Sequence, residues 1–401
     1  MKNNLRVAVI GTGPSALMAA DVISGAGISV SIFEKRKGPA RKLLIAGSSG
    51  LNVTFDMPLN QFGEKYSGPA GFWKPILNNF TPEDWLSFIN ELGIKTFKGT
   101  SERYFVQGMK AVKLVAAWKK KLSQKGVTWY FNHECIDFSN GEQNRKQLSF
   151  KSETTKEFDA VVFCLGGASW EEAGSDIEWP QMFINKNISF TPFSASNVGF
   201  KVNWSEPFLT EAEGLPLKNI VLKSNRGGLA GDVVVTSYGV EGTPVYAVGE
   251  KGVNFLDLKP DLTEENILDK VLKTKENLSP LRKVQKHLKL CPASMALLFH
   301  ETQRSDLKDL NILVKRIKSF PVCFEEKQGL LWAISSAGGL KIKELDSLLM
   351  LKKYPGIFAA GEMLDWDTVT GGFLIQACVS QGFLAGQGVV SYLGLKGLIA
   401  F

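Results

Sequence analysis

The chain has 401 residues, 44% hydrophobic and 22% charged, a balance that excludes a disordered, collagenous or coiled-coil architecture and suits two or three globular domains. Its 47 Lys and Arg against 40 Asp and Glu leave +7, which fits an anionic ligand, nucleic acid or no charged partner. Glycine is the one excess, 39 residues or 9.7% with only 16 prolines, against a usual ~7%, so backbone is expected to come close to something. The five cysteines are odd in number and form no C-x-x-C pair, which argues against a disulfide framework, a zinc ribbon or a thioredoxin-type pair and for a reducing cytoplasm.

Leu5–Ile10 reads as a buried parallel strand, Ser15–Ser24 as a helix stopped at Gly25-Ala26-Gly27, and Ser29–Phe33 as a second strand ending at Glu34, together one βαβ unit. Thr81-Pro82-Glu83-Asp84 is a helix start, with Thr as N-cap and Pro in the first turn. Met109–Lys125 is an amphipathic helix. Val127–Phe138 and Gln147–Lys151 read as strands, and Phe158–Leu165 as a buried strand ending in Gly166-Gly167. After Thr191 short β-like runs follow, at Val198–Val202, Asn219–Lys223, Val233–Thr236, Val245–Val248 and Val253–Leu256, as in a small barrel or sandwich. The chain turns helical and lysine-rich from Asp261 to Lys318, returns to strand at Pro321–Phe324 and Leu330–Ser335, and resumes an α/β texture from Tyr354. Thr368–Leu395 carries no formal charge over 28 residues; its Gly, Gln and Ser content makes it a buried helix rather than a membrane span. Likewise, Gly11-Thr12-Gly13-Pro14 interrupts what would otherwise mimic an N-terminal signal peptide.

Gly11-Thr12-Gly13-Pro14-Ser15-Ala16 is a G-x-G-x-x-A fingerprint between strand and helix. Gly11 permits the tight turn, Gly13 lets backbone reach a pyrophosphate, and Ala16 lets helix and strand pack closely. Pro14 and Ser15 open a helix whose free N–H groups and positive dipole end face the diphosphate. Glu34, 23 residues after Gly11, is placed to accept from ribose hydroxyls, and the adjoining Lys35-Arg36-Lys37 favours an anion. The far end of the chain selects FAD over NAD. There Pro355–Glu362 is a strand ending in Gly361 and Glu362, and flavoproteins with two dinucleotide-binding domains return such a Gly-acid pair under the ribityl chain and diphosphate. Thr370-Gly371-Gly372 then starts the helix Phe373–Gly386, whose N-terminus would stabilise negative charge at the flavin N1/C2=O edge.

With these pieces the sequence resembles the YhiN/BaiN-like group of bacterial FAD-dependent flavoproteins, in a shorter branch, over nearly its whole length. The resemblance rests on Gly11–Ala16 with Glu34, on Arg41–Thr54, on Leu165-Gly166-Gly167-Ala168-Ser169-Trp170, on Gly174-Ser175-Asp176, on Ala337-Gly338-Gly339, and on Gly361–Trp366 with Thr370–Phe373. It implies a discontinuous α/β Rossmann-like FAD-binding domain (1–190 and 330–401), an inserted β-barrel-like domain (191–260 and 319–329) and a nested helical subdomain (261–318). It also implies that the Arg41–Thr54 loop lies over the diphosphate and flavin. Arg41 and Lys42 would supply charge there, Gly47 and Gly50 close approach, and Asn52 and Thr54 polar contacts. The Cys135 backbone would meet the adenine. Many relatives read G-G-G-R-C-N where this chain has Gly47-Ser48-Ser49-Gly50-Leu51-Asn52, so no role of that Arg or Cys carries over.

The expected protein is therefore an FAD-dependent oxidoreductase passing hydride to or from a small organic substrate, held where the inserted domain closes over the flavin. No second G-x-G-x-x-G is present, so NAD(P)H is a candidate donor that visits transiently. Alternatives are a flavin-dependent RNA-modifying enzyme and a non-catalytic FAD-binding protein. The catalytic acid and the oligomeric state are not readable. His133, His287 and His300 lack metal-ligand spacing. Cys164 and Cys378 read as buried apolar residues. Asp365 is either an acid/base or a cap for the next helix. The basic run Arg282–Lys289 reads as a solvated helix face, with no nucleic-acid partner expected.

Overall fold

The computed structural model describes residues 5–47, 50–170, 178–273 and 277–394, and the chain divides into two compact units, one of residues 1–194 with 334–401 and one of 195–333. Ser48 and Ser49, with the Gly174-Ser175-Asp176 motif, lie outside the described residues.

The first unit is built on a five-stranded, wholly parallel sheet in the order Ile357–Ala359, Ala160–Phe163, Arg6–Ile10, Ser29–Glu34, Thr128–Phe131. Its central strands are buried on both faces, which is why they read as unbroken apolar runs. The last strand comes from the far end of the chain, so both ends build one sheet. Beyond the strands the ladder continues at their carboxyl ends: Gly11 N donates to Phe33 O (2.8 Å), Cys164 N to Ile10 O (2.8 Å) and Ala360 N to Phe163 O (3.0 Å). The helix Pro14–Gly25 returns the chain from the first strand to the second, and the C-terminal helix Phe373–Tyr392 packs against it. The helix Pro82–Glu91 opens with the expected Thr81–Asp84 capping box. Among the described residues smaller sheets pair Asn52–Phe55 with Arg103–Val106 and Thr96–Lys98, Cys135–Asn140 with Lys146–Phe150 and Thr155–Phe158, and Phe190–Ser196 with Ser335–Leu340.

In the second unit six strands follow the order Phe200–Lys201, Gly239–Glu241, Gly227–Thr236, Pro216–Ser224, Gly252–Asp257, Phe320–Phe324. The sheet closes on itself, because Lys201 N donates to Glu326 O (2.9 Å) and Glu325 N to Lys201 O (2.8 Å). The helices Glu264–Leu272, Pro280–Leu288, Pro292–His300 and Leu310–Lys318 share a core with this barrel, through Leu217, Ile220, Leu297 and Leu313 among others.

Several local expectations are corrected. Val245–Val248 belongs to a short helix, Thr243–Val248, because Pro244 fixes the first turn between Gly242 and Gly249. Leu330–Trp332 is a 3₁₀ turn with Leu331 and Trp332 half exposed, so that apolar run marks surface and the strand starts only at Ser335. Val127–Phe138 is two strands, broken where Asn132 takes a positive φ. Arg41–Thr54 is not all loop: it contains the helix Arg41–Ala46 and the strand Asn52–Phe55.

Candidate functional site

In the parallel sheet the strand order reverses at Arg6–Ile10, with Ser29–Glu34 on one side and the later Ala160–Phe163 on the other, and ligands of such sheets bind at the carboxyl ends of the strands beside that switch point. Here those ends carry Gly11–Ala16, Glu34 and the Cys164–Gly167 segment. Gly13 is the N-cap of Pro14–Gly25; no side chain caps it and no acid lies in its first turn. Gly372 is the N-cap of Phe373–Tyr392, again with no side-chain cap and no first-turn acid. Two helix N-termini thus present backbone N–H groups to whatever lies in front of them.

The helices meet closely. A Cβ at Gly361 would run into Ser15 Oγ and one at Gly382 into the Ser15 carbonyl, so the C-terminal helix rests on the start of the first helix. Gly361 N donates to the buried Gln381 Oε1 (2.6 Å). Gly372 needs its glycine: φ is +97° and a Cβ would lie 2.7 Å from Thr54 N. Phe373 stacks on Phe55 (centroids 5.2 Å apart), and its carbonyl accepts from Tyr66 Oη (2.9 Å). Burial pushes the Tyr66 phenol above its ordinary range.

Glu34 ends its strand half-buried. Its carboxylate accepts from Thr12 Oγ1 and from Arg36 N (3.0 Å), while Thr12 Oγ1 accepts from Ala40 N (3.0 Å). This ties the fingerprint turn to the segment holding Lys35, which leads to Arg41, an exposed residue at the start of its helix. His133 N donates to Glu34 O (2.9 Å), which brings the segment before Cys135 to the same strand end. The Cys135 thiol is buried, and burial pushes it up to about 12.

Lys42 donates to Gly167 O (2.8 Å) and lies 3.7 Å from Glu362. Glu362 accepts from Gly167 N (3.3 Å) and Ser336 N (3.1 Å). This carboxylate therefore pins three segments together: Gly166-Gly167, the strand Ser335–Leu340, and the segment after Gly361. Gly47 packs on Ala111. Asp365 accepts from Thr191 Oγ1 (2.6 Å), and Trp366 Nε1 donates to Gly361 O (2.9 Å). The Cys164 and Cys378 thiols are both pushed up by burial, Cys378 to about 12, so they are protonated near neutrality.

Residues that sequence reasoning did not select also gather here. Thr12 holds Glu34, Gln381 holds Gly361, and Ser336 binds Ala168 N and Glu362. Arg103, opposite Phe55 on the neighbouring strand, lies beside Gly371, where an added Cβ would be 3.5 Å from its Nε. Thr12 sits in a variable position of the fingerprint, and Arg103 stands in a strand with no motif of its own, so neither gave a local signal.

The residues present fit a dinucleotide with a flavin. Two glycine-capped helix N-termini suit a diphosphate and an electron-rich ring edge. Asn52 Oδ1, Thr54 Oγ1 and Gln381 Nε2 are buried without a hydrogen-bond partner among the described residues, polar atoms with capacity left for a ligand.

The fold and this site define a Rossmann-type dinucleotide-binding protein whose binding domain is completed by the far end of its chain. The chain belongs to the HI0933-like protein Rossmann domain family, matched over residues 5–388, and the resemblance to the YhiN/BaiN-like group holds within it. It is 22% identical to the ribosomal RNA dihydrouridine synthase of Escherichia coli K12, over 96% of this chain and 97% of that one. It is 24% identical to the 3-dehydro-bile acid delta(4,6)-reductase of Clostridium scindens, over 95% and 98%. Among solved structures it is similar to the 3-ketosteroid-delta4-(5alpha)-dehydrogenase of Rhodococcus jostii RHA1 (TM-score 0.50, 13% identity, 97% of each chain). It is also similar to a flavocytochrome c3 fumarate reductase (TM-score 0.51, 12% identity, 97% of this chain and 78% of that one). At these identities the two structures share the fold.

Proposed function

We propose that the protein is an FAD-dependent oxidoreductase that moves hydride between the flavin and a small organic substrate, with NADH or NADPH as a transient donor. The observation that carries this reading is the pair of glycine-capped helix N-termini, one from each end of the chain, on two helices that pack together with Ser15 against Gly382. Bound FAD supplies a two-electron centre that exchanges hydride at its N5. The chain's part is to bind and orient: Gly13, Ser15 and Ala16 offer backbone to the diphosphate, Glu34 accepts from ribose hydroxyls, and Gly371, Gly372 and Phe373 turn N–H groups toward the ring. Lys42 and Glu362 act as positioning residues that fix the Gly166-Gly167 segment.

The named activities of the Escherichia coli and Clostridium scindens relatives share one chemical act, saturation of a carbon–carbon double bond. We extend that class to this chain: an electron-poor double bond conjugated to a carbonyl, since hydride adds readily only where an oxygen can take the charge. The test is the absorption spectrum of the purified protein, then anaerobic reduction with NADH and NADPH in turn and reoxidation by a panel of enones. Yellow protein reduced by a nicotinamide and reoxidised by an enone is expected. Colourless protein that takes up no FAD refutes the cofactor. Flavin that no nicotinamide reduces and no enone reoxidises refutes the enzyme reading.

A second reading is favoured by one charge observation. Residues 280–318 hold nine Lys and Arg against three acids, a net +6 of the chain's +7. On the helix Pro280–Leu288, exposed Arg282 and Lys286 continue to Lys289 at the cap, on the face opposite buried Val284 and Leu288. In this reading the double bond belongs to a base in RNA and this face holds phosphates. Retention of ribosomal RNA that weakens steeply with salt, with a shallower slope in R282E/K286E/K289E, is expected; absence of salt-sensitive retention ends it.

A further inference from the structure

We propose that Arg103 supplies a positive charge at the N-terminus of the helix Phe373–Tyr392 that stabilises the anionic, reduced form of the flavin. This role rests on the FAD reading above.

Arg103 begins the strand Arg103–Val106 and pairs across the sheet with Phe55, whose ring stacks on Phe373, the first residue of that helix. Arg103 is therefore held at the helix start by the same sheet that places Thr54 against Gly372. Its guanidinium is half-buried, and burial lowers its pKa, so holding the charge there costs solvation. The helix end beside it is also positive, and no acid occupies its first turn. Two positive features placed side by side in a poorly solvated corner suit a delocalised anion.

The corner also has unspent hydrogen-bonding capacity. Thr54 Oγ1 is fully buried and Asn52 Oδ1 is buried, and both lack a partner among the described residues. The Thr54 backbone lies against Gly372 and Arg103 Nε lies beside Gly371, so both flank the helix start. Reduced flavin with N1 deprotonated carries its charge over N1 and C2=O, and a positive charge held beside that edge favours it.

The test reads the flavin without turnover. Sulfite adds to flavin N5 and leaves the same negative charge on the ring, so its affinity reports charge stabilisation directly. In the FAD-loaded protein, Arg103→Gln is expected to bind sulfite about tenfold more weakly or worse. Its two-electron midpoint potential should fall by about 30 mV for each tenfold. Arg103→Lys should stay within about threefold of the wild type, because the charge is kept. Lys120→Gln, which removes an equal charge from the exposed face of the helix Ala111–Gln124, should leave both readouts unchanged. Wild-type sulfite affinity and potential in R103Q overturn the proposal while leaving the FAD reading intact. If R103Q does not hold FAD, R103K decides: near-wild-type affinity supports the charge role, and a loss of tenfold or more overturns it. A wild-type protein that takes up no FAD fails the underlying reading instead.

Discussion

Gly13→Ser is expected to stabilise the empty chain slightly while weakening its hold on FAD. Gly13 has φ −68° and ψ 176°, an extended conformation open to any residue, and a Cβ there meets nothing within 4 Å. It is also an uncapped helix N-cap, where serine is worth a few tenths of a kcal/mol more than glycine, about 0.3. The folded chain therefore has no objection to a side chain at this position. The cofactor has one, because the open space is where a diphosphate must approach backbone. Intruding atoms at a close-packed contact cost ~1–3 kcal/mol, or roughly five- to 150-fold in Kd, and the bulkier Gly13→Val should abolish binding. FAD titration into the apoprotein and thermal melts of the same samples read the two effects separately. Gly11→Ala is the contrast: φ is +105° and the Cβ would meet the Cys164 carbonyl, so the fold itself should lose at least ~1–2 kcal/mol. A wild-type Kd in Gly13→Val would refute the placement of the diphosphate. A marked loss of stability in Gly13→Ser would show that the space is not open.

Glu34→Ala should weaken FAD binding by ~1–3 kcal/mol, the worth of charge-assisted hydrogen bonds, measured by the same titration; an unchanged Kd would move the ribose elsewhere. The buried cysteines give a pH signature. Burial raises Cys135 and Cys378 from 9.0 to about 12, so the unfolded chain releases these protons first. Their stabilising contribution is complete below pH 9.0 and is lost as pH rises toward 12, so the urea midpoint should fall across that window, less so in the C135A/C378A variant. At about pH 8 a thiol reagent should label exposed Cys323 in the native protein and spare Cys135, Cys164 and Cys378. Rapid labelling of Cys378 would contradict its burial.

The βαβ unit was legible because each of its signals is local. The run Arg6–Ile10, the fingerprint and the acid at Glu34 fall within one short stretch, and the physics of a tight turn before a helix restricts the residues that serve there. The far end of the chain was legible for the same reason, since Gly361-Glu362 follows an apolar strand and Gly371-Gly372 opens an uncharged helix. What escaped depended on tertiary partners. Val245–Val248 has strand-like composition, yet Pro244 and the flanking glycines turn it into a helix. Arg103 has no neighbours in sequence that mark it, and its place at the helix start follows only from strand pairing with Phe55. Glu362 was legible as an acid that follows a strand and a glycine, but its hydrogen bonds to Gly167 N and Ser336 N come from segments 195 and 26 residues away.

Among the glycines of the two helices and the segment between strand and helix two physical uses stand out, and the division bears on what the site demands. Gly13 faces open space and is free for a ligand. Gly361 and Gly382 instead face Ser15, Gly386 faces Val22 and the Ala19 carbonyl, and Gly388 faces Leu348 and Phe358, all too close for a Cβ. These glycines sink the C-terminal helix into the first helix and the sheet, and so bring its N-terminus, Gly372, against Thr54. The uncharged character of that helix follows directly, because it is buried along nearly its whole length and a charge there would be desolvated without a partner. Close helix packing and cofactor approach are therefore one requirement: moving the two helices apart by the width of a methyl group would separate the two sets of amide donors that a single long anionic ligand has to span. Substitutions at Gly382 or Gly386 should accordingly act on FAD affinity through helix spacing, although neither residue need touch the cofactor.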